Sequence, residues 1–100
     1  MTSAHATTMD ALPGRRDDLV HLLTRRSDRV AELGCSLYEV GIDDDAPDTV
    51  FVLELWSSAE AHRASLQDPA VRAAIEEARP LLAGRFGGFR FDVAGSPLRD

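Results

Sequence analysis

The chain contains no lysine, no asparagine and a single cysteine among its 100 residues. Without lysine, Schiff-base catalysis on a side-chain amine is excluded. All eleven basic residues are arginine, a bias that reflects a GC-rich genome more often than a function. A lone Cys35 allows no intrachain disulfide, and a reducing cytoplasm is the expected setting. Positive charge is also scarce, leaving a formal net charge of -6. That balance argues against nucleic acid, whose phosphates need a basic footprint, and against an anionic membrane surface. No stretch approaches the ~20 apolar residues of a membrane span. The N-terminal MTSAHATTMDAL lacks the basic start and apolar run of a signal peptide.

What is present suits one globular domain spanning residues 1–100, with a core over about 4–93 and a loose tail at 94–100. Hydrophobic residues make up 44% of the chain, enough to argue against disorder. Its centre is Thr49–Trp56, TVFVLELW. Read as a strand, it places Val50, Val52, Glu54 and Trp56 on one side and Phe51, Leu53 and Leu55 on the other. Both sides are apolar, so both need cover. Glu54 is the one ionisable group in the run. A carboxylate among Val, Leu and Trp is costly unless something bonds it, which makes it the first functional pointer.

The flanking segments supply the rest of the fold. AHATTMDAL (4–12) reads as a first strand, closed by Pro13-Gly14. Arg15 to Glu32 reads as one helix with Leu19, Leu22, Leu23 and Val30 near one stripe, stopped by Gly34. Cys35–Ile42 is a second strand that forms a hairpin with the central one across Asp43–Asp48. Ser36, Tyr38, Val40 and Ile42 are expected on one face, with Cys35, Leu37 and Glu39 on the other. The carboxylates of that turn lack the alternating spacing of a calcium loop, so no metal site is expected. Ser57 and Glu60 have capping-box spacing for a helix to about Leu66. Asp68-Pro69 starts another, carried by Val71, Ala74, Ile75 and Ala78 and ended near Pro80, with Gly84 closing the segment. Arg85–Val93 is the last strand, with Arg90 and Asp92 on its polar face and a bulge or close approach at Gly87-Gly88.

The order strand, helix, strand, strand, broken helix, strand predicts an α+β, ferredoxin-like split β-α-β fold. Helices would cover one face of a four-stranded antiparallel sheet. The other face, on the order of 400 Å² from ordinary strand dimensions, is too apolar to leave bare. A homodimer through that sheet face, with two-fold symmetry, is therefore expected.

GCSLYEV followed by FVLELWSSAEAHRASLQDP resembles the antibiotic biosynthesis monooxygenase (ABM) domain. The most specific part is Glu54 and Trp56 followed by Ser58, Glu60-Ala61, Leu66 and Pro69, and the likeness extends over nearly the whole chain. The resemblance implies a dimeric α+β barrel. It also implies oxidation of an aromatic phenol or quinol by dioxygen without metal, flavin or haem. Other members isomerise small molecules, degrade haem or have no known activity. The chain departs from the family pattern at Ser65, where a histidine usually stands nine positions after the tryptophan. His62 instead stands where the family has a large aliphatic residue. Lacking asparagine, the chain also lacks a residue that haem degraders use near their ligand.

A cofactor-free oxygenation needs an apolar pocket, an aromatic wall, a base and a hydrogen-bond donor. Glu54 and His62 are the candidate catalytic bases. Trp56 offers a wall and an indole donor, Tyr38 a hydroxyl, and Cys35 and Ser65 further lining. The bland alternatives are that Trp56, Tyr38 and Cys35 are core residues, that His62 is structural, and that Glu54 pairs across the dimer with an arginine such as Arg90. Three functions fit: a monooxygenase acting on a small aromatic substrate with dioxygen, a non-catalytic dimeric binding or interaction module, and an isomerase.

Overall fold

The computed structural model describes residues 1–100. Its elements are β1 (Ser3–Ala11), α1 (Arg16–Leu23), α2 (Asp28–Glu32), β2 (Cys35–Ile42), β3 (Thr49–Trp56), α3 (Ala59–Ser65), α4 (Pro69–Ala78) and β4 (Leu82–Asp92). The strands form one antiparallel sheet in the order β2-β3-β1-β4, the ferredoxin-like arrangement expected. Helices cover one face.

The central strand behaves as its alternation dictates. Val50, Val52 and Trp56 are buried beneath the helices. Leu19 from α1, Ala78 from α4 and Ala11 from β1 close on the two valines to make the core. On the opposite face Phe51 is 37% exposed, Leu53 44%, Phe91 51% and Phe89 68%. Cross-strand register puts Leu55, Ala4 and Phe91 in one row and Leu53, Ala6 and Phe89 in the next. This is the bare apolar face that the sequence anticipates.

Four local expectations are corrected. The first helix is two helices, broken at Thr24–Ser27. After Leu22 and Leu23 the stripe needs apolar residues three and four positions on, and finds Arg26 and Ser27. Thr24 Oγ1 also donates back to the Val20 carbonyl at 2.8 Å, capping α1 from within. The N-cap of α3 is Ser58, whose hydroxyl accepts from the Ala61 amide, so the capping spacing lies one residue later than Ser57. Strand β4 starts at Leu82, and Gly84 lies inside it at φ +88°, where the pairing with β1 shifts register.

The fourth correction concerns β2. Cys35 pairs with Trp56 and Leu37 with Leu55, so Ser36 is an extra residue in the ladder. That bulge moves Cys35 to the same face as Tyr38 and Val40, against strict alternation. By contrast, the close approach expected at Gly87-Gly88 is present. Gly88 sits at φ +132°, and a Cβ there would stand 2.1 Å from the Ala6 carbonyl oxygen.

Candidate active site

Register and twist bring the polar residues of four strands into one line under the helices. Tyr38 on β2 pairs with Glu54 on β3, Glu54 with His5 on β1, and His5 with Arg90 on β4. Directly opposed residues share a face, with Cβ atoms about 5 Å apart. Short helices roof this row incompletely. They leave a cavity of about 1130 Å³ between sheet and helices, lined mainly by hydrophobic residues from α1 to α4, β2 and β4.

All six residues singled out from the sequence line that cavity: Cys35, Tyr38, Glu54, Trp56, His62 and Ser65. Trp56, almost wholly buried, donates from indole Nε1 to Glu54 Oε1 at 3.0 Å. Burial raises the Glu54 carboxyl above its ordinary range, opposed by that indole bond and then by nearby His5. Arg90 stands beyond His5 on the helix-covered face, so it is in the same row as Glu54 and not placed to reach it across a sheet-to-sheet dimer.

The Tyr38 hydroxyl is pushed up to about 12, first by burial and then by the charges of Glu54 and Cys35. It stays protonated and remains a donor. Burial likewise raises the Cys35 thiol, which donates to the Leu37 carbonyl at 3.2 Å. That is the state of an inert thiol rather than a nucleophile.

His62 hangs from α3, its ring packed against Trp56 at a centroid distance of 5.4 Å and an interplanar angle of 74°. Burial, then the positive charge of Arg90, hold its imidazole below the ordinary histidine range. It is therefore neutral at pH 7 and free to take a proton. Ser65 is 2% exposed, and its hydroxyl donates to the His62 carbonyl one turn back. The residue at the usual histidine position thus spends its donor on the helix that carries His62.

One member of the constellation escaped the sequence reading. His5 is buried at the middle of the polar row and stacks on His62. Its phase along β1, shared with Thr7 and Met9, was the available signal. Only the β1–β3 register places it beside Glu54.

The residues offer no metal cluster: no group of three or more His, Cys, Asp or Glu side chains is placed to hold an ion. No helix is long and apolar enough to cross a membrane.

Comparison with known proteins is consistent with this architecture. The sequence pattern of the family described as antibiotic biosynthesis monooxygenase matches residues 3–77. A Chloroflexus aurantiacus J-10-fl protein, described as a candidate antibiotic biosynthesis monooxygenase, is 33% identical, with 96% of each chain covered and a TM-score of 0.81. A Nitrosomonas europaea protein of similar description is 7% identical at TM-score 0.80, covering 93% of this chain and 90% of its own. A Pseudomonas aeruginosa protein is 18% identical at TM-score 0.76, with 94% and 95% covered. The latter two likenesses speak for the fold alone. No curated protein matches the chain. The chain belongs to the antibiotic biosynthesis monooxygenase family.

Proposed function

We propose that the protein is a cofactor-independent monooxygenase that oxidises an aromatic phenol or quinol with dioxygen. The observation that carries this is the Glu54–Trp56 bond set in an apolar cavity, with a neutral His62 packed against Trp56. At about 1130 Å³ the cavity slightly exceeds ordinary small-molecule pockets and has room for a multi-ring substrate.

His62 is the base in this account. A proton acceptor works best when its pKa lies near the operating pH, and an imidazole meets that better than a carboxylate. Glu54, fixed by Trp56, accepts a hydrogen bond from a substrate hydroxyl, and Tyr38 donates to a substrate oxygen. Cys35 and Ser65 complete the lining. Deprotonation makes the ring electron-rich enough to reduce dioxygen directly. A phenol and one dioxygen then give a quinone and one water. One oxygen atom becomes the new carbonyl. The other leaves as water with the phenolic proton and the displaced ring hydrogen.

We propose further that the enzyme is a homodimer through the bare sheet face, where Phe51, Leu53, Phe89 and Phe91 are exposed. Turnover under ¹⁸O₂ tests the chemistry: one labelled atom should enter the product, and an unlabelled product formed at full rate would exclude it. An isomerase is the second reading, favoured by the same two proton acceptors on one cavity. It predicts solvent proton exchange into substrate with no oxygen uptake.

A further inference from the structure

His5 has no part in the chemistry proposed above and does not line the cavity, yet it is only 7% exposed on an inner strand. A buried imidazole is an expensive choice for such a place. Its ring lies flat on His62, with centroids 3.8 Å apart and planes at 22°. Its Nε2 is held 3.0 Å from Ser3 Oγ. His62 also packs against Trp56, with centroids 5.4 Å apart and planes at 74°. His62 is thus held by two rings, one flat on it and one steeply inclined to it. It needs those contacts, because α3 has only seven residues and so short a helix does not hold its shape unaided.

We propose that His5 is a positioning residue for His62, its buried ring the platform that holds the His62 imidazole on the cavity wall. The proposal rests on the reading of His62 as base, but the packing it describes is testable without substrate. Charged groups face the pair from two other strands: Glu54 on β3 and Arg90 on β4, each a cross-strand neighbour of His5. Tyr38 on β2 and Cys35 beside it lie beyond Glu54. Two imidazoliums in face contact would repel strongly, so the pair accommodates one proton. Both rings are held below the ordinary histidine range, His5 by burial and then by the His62 charge, His62 by burial and then by Arg90.

Proton NMR of the imidazole ring signals in the full chain, titrated with pH, tests this. Assignment uses His62→Gln and His21→Gln. The wild type should show contacts between the His5 and His62 rings and two separate transitions. His5→Phe keeps a ring platform, so the ring-current shift of His62 should persist and its transition should stay low. His5→Val suits the strand but removes the platform. There the ring-current shift should collapse and the His62 transition should move up towards that of a free histidine.

An unchanged His62 in His5→Val would overturn the proposal. So would a wild type whose two rings show no contact or titrate independently at one pH. If the valine variant does not fold, the wild-type contacts and the phenylalanine variant still decide. Missing oxygen-dependent turnover alongside the expected spectra would count against the oxygenation and leave the platform standing.

Discussion

Trp56 Nε1 donates to Glu54 Oε1 at 3.0 Å, two residues back along the same strand, so one edge of the cavity is fixed by β3 alone. The bond pulls the Glu54 carboxyl down while burial pushes it up, and burial prevails. Trp56→Phe removes the donor and keeps an aromatic ring. The Glu54 pKa should then rise further, as read by carboxyl-carbon NMR across pH. An unmoved or lowered value would show that the bond does not act on the carboxylate.

Acid should weaken the fold through the stacked histidines. Both have pKa values lowered from 6.5. Between their folded values and 6.5 the unfolded chain binds more protons, so stability rises with pH through that window. The contribution is complete above about 6.5 and is lost as pH falls, by at most about 1.4 kcal/mol per pH unit for each ring. Glu54 has the opposite sign: raised above 4.5, it favours the fold at low pH and loses that contribution as pH rises through its folded value. Urea unfolding at pH 7.5 and pH 5 should show the wild type losing stability on acidification. His5→Phe/His62→Phe should lose less. Equal losses would place the acid sensitivity elsewhere.

Asp68 ties two helices together. Its Oδ2 accepts from the Ala70 and Val71 amides at the start of α4, and its Oδ1 accepts from Arg29 Nε and Nη2 on α2. Asp68→Ala should cost about 1–2 kcal/mol from the cap alone, measured by thermal or urea unfolding. Asp68→Asn should recover most of that, since an amide oxygen still caps. If asparagine fails to recover stability, the Arg29 bonds outweigh the cap.

The bare sheet face gives a prediction about assembly. Leu53→Arg with Phe89→Arg puts two charges where a second copy would pack. Sedimentation should show a wild-type dimer and a variant monomer of unchanged circular dichroism. A wild-type monomer at micromolar concentration would remove the dimer.

Much of this was legible in the sequence, and the gaps have physical causes. The two-sided apolar run Thr49–Trp56 announced the inner strand, and Asp68-Pro69 announced α4 to the residue. The break at Thr24–Ser27 was missed because Leu23 and Val30 remain in phase across it. Nothing in CSLYEVGI marks Ser36 as the bulged residue; only its partner strand reveals that. Glu54, Trp56, Tyr38 and His62 lie close in sequence around one hairpin and its following helix. His5 enters from the far end of the chain, through a cross-strand register that local patterning does not encode.

Oxygen uptake by the purified protein with a polycyclic hydroquinone tests the central claim most directly. The account predicts uptake that tracks product one to one, no turnover under argon, and a fall of about 10²-fold or more in His62→Gln. Product formed at the same rate without oxygen, or a His62→Gln variant as fast as wild type, would contradict it.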